Sequence, residues 1–118
     1  MVAAAAAVTL AAPIARADDD VRVDRACTQG SAVRLRVEPR DEDRLRVVIR
    51  VRTARRATWV VTVVHERRVA LRTVRRAGAT STISVRLTLP DWPGRDTVIV
   101  RAIGPRGEIC RAAATLAG

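Results

Sequence analysis

The sequence predicts an all-β chain, a seven-stranded antiparallel sandwich preceded by a helical leader. Two patterns carry that expectation. Apolar residues alternate with arginine or threonine through most of the chain, and clusters of Pro, Gly and Asp interrupt the alternation at short, even intervals. The clearest run is Arg44 to Arg52. Leu45, Val47, Ile49 and Val51 fall on one side of an extended backbone, and Arg46, Val48, Arg50 and Arg52 fall on the other. Successive strand side chains point to opposite faces, so this is a strand with one face buried and one in water. A helix would group Leu45, Val48, Ile49 and Arg52, a poorer separation of apolar from charged.

Length and composition bound what such strands can build. At 118 residues there is room for one domain. A hydrophobic content of 48% with only 2% aromatics means a core of Val, Leu, Ile and Ala around a single large residue. All 22 basic residues are arginine, against 12 acids, for a formal charge of +10. A basic excess fits an anionic partner. Uniform use of Arg, with no Lys, Asn, Phe or Tyr, also fits a genome that favours Ala, Arg and Val and solubilises its surfaces with arginine.

Residues 1–17 have an apolar middle and end in Ala15-Arg16-Ala17, a small-x-small pattern suited to a signal peptidase. The run lacks a basic start and falls short of the roughly 20 apolar residues that a membrane helix needs. It reads as a helical signal peptide. Asp18-Asp19-Asp20 opens a flexible mature terminus over 18–26, and 27–118 is the sandwich. The mature chain then has no transmembrane span and is secreted or associated with the cell envelope.

Cys27 and Cys110 are the only cysteines, and an even count in an exported protein implies a disulfide. Closing a loop of about 80 residues contributes roughly 4–5 kcal/mol in the chain-entropy model. A redox or metal pair fits poorly, because there is no Cys-x-x-Cys and only one histidine.

The strands follow in order. Val33, Leu35 and Val37 alternate with Arg34, Arg36 and Glu38, and a charged turn with Pro39 closes that strand. Leu45 to Val51 is second, and Thr58 to Glu66 third, with Trp59, Val61 and Val63 inward. Val69 to Val74 is a weaker fourth strand between Arg67-Arg68 and Arg75-Arg76. Ile83, Val85, Leu87 and Leu89 make the fifth, which ends at Pro90. Val98, Val100 and Ala102 are the inward set of the sixth. After Gly104-Pro105-Arg106-Gly107, residues 109–116 form the seventh, carrying Cys110.

Short strands at even spacing, with Trp59 on the third, suggest an immunoglobulin or fibronectin type III-like sandwich. The spacing of Cys27 and Cys110, together with Leu45-Arg-Val-Val-Ile-Arg-Val, Thr58-Trp59-Val-Val-Thr-Val and Gly107-Glu-Ile-Cys110-Arg-Ala, resembles small secreted actinobacterial proteins with one immunoglobulin-like domain. That group has no assigned activity. The resemblance implies fold and compartment only.

Candidate chemistry is sparse, and no enzyme, cofactor or metal is expected. His65 is the lone base that titrates near neutrality, and no Gly-x-Ser-x-Gly surrounds Ser31, Ser81 or Ser84. Glu38 with Asp41-Glu42-Asp43 offers hard oxygens, but lacks calcium-loop spacing and sits between arginines, as a solvated turn would. The surface is more informative. With the first, second, fourth and fifth strands in one sheet, the usual sandwich arrangement, its outer face carries Arg34, Arg36, Arg46, Arg50, Arg52 and Arg86, with Arg72 if Leu71 points inward. Such a ladder, recurring about every 6.6–6.8 Å along a strand, can fork onto phosphates or carboxylates of an anionic envelope polymer. Nucleic acid is the weaker target, since only Trp92 is an exposed stacking residue. The other sheet shows Val60, Val64, Ile99 and Ile103 outward, an apolar set suited to a protein partner or a homodimer.

Overall fold

The computed structural model describes residues 14–15, 19–41, 43–54, 56–78 and 81–117. Nine strands run along them: β1 (Ile14–Ala15), β2 (Val21–Ala26), β3 (Ala32–Arg40), β4 (Arg44–Arg52), β5 (Thr58–His65), β6 (Arg68–Arg76), β7 (Thr82–Pro90), β8 (Asp96–Ile103) and β9 (Ile109–Leu116). Sheet A has the order β1-β9-β8-β5-β6, and sheet B the order β2-β3-β4-β7. Every pairing is antiparallel except the short β1–β9 contact. Among the described residues no helix is long and apolar enough to cross a membrane.

The alternation does what it predicts. Val33, Leu35 and Val37 of β3, Leu45, Val47, Ile49 and Val51 of β4, and Ile83, Val85 and Leu89 of β7 are buried. From the other sheet Trp59, Val61 and Val63 of β5, Val98, Val100 and Ala102 of β8, and Cys110, Ala112 and Ala114 of β9 meet them. The core is therefore the space between two facing sheets, filled from both by every second side chain. Trp59 is wholly buried and lies against Gly104; a Cβ there would stand 2.5 Å from the indole Cζ2. Absence of a side chain at 104 is what lets the β8–β9 turn close over the ring.

Four expectations need correction. The seven alternating segments correspond to β3 through β9, but the described residues carry nine strands, not seven. Residues 21–26, expected to be flexible, form β2, because Val21 and Val23 reach the core and the whole strand pairs with β3. At Ile14–Ala15 the expected helical leader is extended backbone, and the rest of that leader lies outside the described residues. The fourth predicted strand, β6, belongs to sheet A with β5 rather than beside β3, β4 and β7, so Arg72 leaves the arginine ladder. A two-residue turn is the cause. Glu66 and Arg67 both have positive φ, 48° and 68°, as a tight hairpin requires, and that hairpin forces β5 and β6 to be neighbours.

Cys27, which follows β2 of sheet B, is bonded to Cys110 on β9 of sheet A, a separation of 83 residues. The bridge joins the two sheets at one end of the sandwich. Glu108 closes the same end. Its buried carboxylate accepts the Ser31 N–H (2.9 Å), the Ser31 hydroxyl (2.8 Å) and the Gln29 N–H (3.0 Å), so the 27–31 turn is tied to the β8–β9 turn. The opposite end is held differently, by His65 and Asp96.

Candidate functional site

All six arginines of the expected ladder stand on the outer face of sheet B. Register places Arg34 directly opposite Arg50, Arg36 opposite Val48, and Val48 opposite Arg86, while Arg46 faces Glu38 and Arg52 faces Ala32. Arg22, Arg40 and Arg44 lie on the same face. Three carboxylates interrupt it, all on the β2–β3 side. Asp24 accepts Arg34 Nε at 2.8 Å and Arg22 Nε at 3.1 Å, and Asp20 accepts Arg36 Nη2 at 3.1 Å. Glu38, mostly covered, gathers Arg36 (2.8 Å), Arg40 (3.3 Å) and Arg46 (3.9 Å).

The titration behaviour follows from these contacts. Hydrogen bonds from Arg34 first and Arg22 second hold the Asp24 carboxyl below the usual carboxylate range. The hydrogen bond to Asp20, then the charge of Glu38, raises the Arg36 guanidinium above its usual value. On the β4–β7 side the balance differs. Among the described residues no carboxylate lies within ion-pair distance of Arg50, Arg52 or Arg86. A shallow hollow of about 310 Å³ crosses the centre of the face, lined by Arg34, Arg36, Arg40, Arg46, Arg50 and Arg86 with Val48 and the single carboxylate of Glu38. Its chemistry suits oxyanions, because guanidinium groups fork onto two oxygens at once.

The outer face of sheet A is its opposite. Val60, Val64, Ile99 and Ile103 are brought together there, on adjacent strands β5 and β8. Residues that the sequence reading missed extend them into two rows. Val74, Val60, Ile103 and Ile109 stand opposite one another across β6, β5, β8 and β9. One turn of alternation further on, Arg72, Thr62, Arg101 and Arg111 form a polar row. Val69, Val64, Ile99 and Ala113 then make a second apolar row, with a register shift in the β5–β6 pairing between Val63 and Val64. Ile109 was legible in principle, since Cys110 beside it had to point inward. Val74 was not, because its strand had been given to the other sheet.

The groups with catalytic potential are packed rather than presented. His65 and Asp96 are 2% and 1% exposed, with Nε2 and Oδ1 2.8 Å apart. The indole of Trp92 stacks on the His65 ring, 4.3 Å between centroids and 5° between planes. Trp92 thus packs over the end of the core that His65 and Asp96 hold. Asp91 completes the cluster; its hydrogen bond to Asp96, its partial burial and the nearby charges of Asp96 and Asp43 push its carboxyl above the usual range. Ser31 is spent on Glu108 at the disulfide end, and Ser84 lies on the outer face of sheet B opposite Arg50. Asp41 and Asp43 bound the β3–β4 turn, where the Asp43 carbonyl accepts the Asp91 N–H. Glu42 lies outside the described residues.

Comparison with protein-family models, with curated proteins and with solved structures finds no match to this chain.

Proposed function

We propose that the chain is an exported, non-catalytic binding module of the immunoglobulin or fibronectin type III kind, which meets a protein partner through the outer face of sheet A. One observation carries the surface. Among the described residues, four of the five exposed large hydrophobics, Val69, Val74, Ile103 and Ile109, lie on sheet A in line with Val60, Val64 and Ile99. Aligned apolar rows on an otherwise charged protein are the usual mark of a partner site. The fold reading is supported by strand order. β3, β4 and β7 correspond to the first, second and fifth strands of an immunoglobulin domain, and β5, β8 and β9 to the third, sixth and seventh, with the fourth moved across to β5. Trp59 occupies the core position on the third of these strands. The disulfide departs from the antibody pattern, since it joins β2's end to β9 rather than the second strand to the sixth. Export is supported by that same disulfide, which reducing compartments disfavour, and by the leader-like residues 1–17.

Affinity capture from the native cell envelope tests the surface. Wild-type protein recovers a partner that Val60→Arg loses while its thermal midpoint stays the same. Equal recovery by both proteins removes the reading.

A second reading has its own observation, the three arginines of β4 and β7 that have no carboxylate partner among the described residues. It assigns the outer face of sheet B to an anionic envelope polymer. Replacing Arg50, Arg52 and Arg86 together by Gln then weakens binding to inorganic polyphosphate and flattens its salt dependence. Affinity that ignores ionic strength excludes it.

A further inference from the structure

β6 is the last strand of sheet A. β5 pairs along one of its edges, and among the described residues no strand pairs along the other. An open edge presents a row of backbone N–H and C=O groups, a ready template for another extended chain. The side chains of β6 narrow the choice of chain. Val69 and Val74, 64% and 61% exposed, are the two most exposed large hydrophobics described. Between them and around them lie Arg67, Arg68, Arg72, Arg75 and Arg76, with no acid anywhere in 67–76. Arg75 donates to the Thr73 hydroxyl at 2.7 Å, and no carboxylate among the described residues pairs with any of the five.

We infer that β6 is a docking edge for an extended acidic segment of another protein, which adds to sheet A as a further strand over residues 71–76. The inference rests on the partner-face reading of sheet A and specifies the partner: carboxylates stand opposite Arg72, Arg75 and Arg76, and β-branched side chains opposite Leu71 and Val74. Direct cross-strand pairs of opposite charge are favourable and pairs of like charge are not. That rule argues against a second copy, because β6 laid on β6 sets arginine among arginine. A polyanion without apolar groups leaves Val74 in water. Charge that only protects an edge from aggregation needs no exposed valine, whereas Val74 continues the row through Val60, Ile103 and Ile109. The irregularity beside Val69 ends the regular stretch and sets its length.

The probe is the synthetic peptide acetyl-Glu-Asp-Val-Thr-Glu-Val-amide, written to run antiparallel against Arg76 through Leu71, with binding to the full chain followed by calorimetry. The peptide binds, and Arg72→Glu with Arg76→Glu weakens it by about tenfold or more. Methylating one alternate set of peptide amides abolishes binding and methylating the other set does not, since only every second N–H faces the edge. No binding by the parent peptide, or equal behaviour of the two methylated sets, overturns the inference. A dimer that survives the double arginine reversal assigns the edge to a second copy and overturns it too. Val60→Arg separates the two levels. If the peptide fails while Val60→Arg still loses its captured partner, the face reading stands and the edge assignment falls. If the peptide binds and Val60→Arg has no effect on capture, the edge stands alone.

Discussion

The outer faces of the two sheets are built from the same alternating strands and differ in everything that alternation leaves free. On sheet B each outward position of β3 and β4 is arginine, Glu38, Val48 or Ala32, and neutralising acids crowd the β2–β3 side. On sheet A two apolar rows flank an arginine-rich row, with Thr58, Arg76, Thr97 and Thr115 beyond them. The inner faces show no such contrast, because both are required to fill one core. Burial dictates one side chain in two, and the remaining half is where a function can be written.

The largest effect tests whether the faces depend on the sheets being fastened together. Replacing Cys27 and Cys110 by Ala removes the cross-link over 83 residues and costs about 4–5 kcal/mol in the chain-entropy model. Denaturant titration measures the loss, and binding by either face weakens in proportion to the unfolded fraction. Gly104→Ala comes next, at about 1–3 kcal/mol, because the new methyl group overlaps the Trp59 ring. It acts on one face only. The turn it disturbs carries Ile103 and Ile109, so partner capture suffers while polyphosphate binding by sheet B persists.

A smaller effect sharpens the charge difference within sheet B. Glu38→Gln releases Arg36, Arg40 and Arg46 from their shared carboxylate. These arginines are half exposed, so stability changes by less than about 1 kcal/mol. Polyphosphate affinity rises and its salt dependence steepens, both read from titrations at several NaCl concentrations. The smallest effect concerns the end of the core that both faces share. Asp91 has its folded pKa raised, so it favours folding when protonated and that contribution is lost as pH rises through the folded value. Asp91→Asn therefore matches wild type in acid and is the more stable protein at neutral pH, as thermal melts across pH should record.

Much of this was legible in the sequence, for a reason particular to strands. Alternation at Val33 to Val37 and Leu45 to Val51 fixes what is inside and what is outside, so the core is legible from it alone, whereas gathering the six arginines on one face also takes an assumed grouping of the strands. Pairing was less accessible. The β5–β6 hairpin turns on Glu66 and Arg67, neither of which advertises positive φ as Gly or Asn would. The usual sandwich order places the fourth strand with the first, second and fifth, so without that turn β6, and Val74 with it, is assigned to the other sheet. β2 escaped notice because Val21 and Val23 alone make only a fragment of a pattern. His65 with Asp96, and Ser31 with Glu108, are contacts across 31 and 77 residues that no local spacing announces.

Amide NMR mapping of the two faces in one sample is the most direct test. The acidic peptide is expected to shift resonances of β6 and β5, and inorganic polyphosphate those of β3, β4 and β7. If both ligands shift the same strands, the faces are not separate binding surfaces.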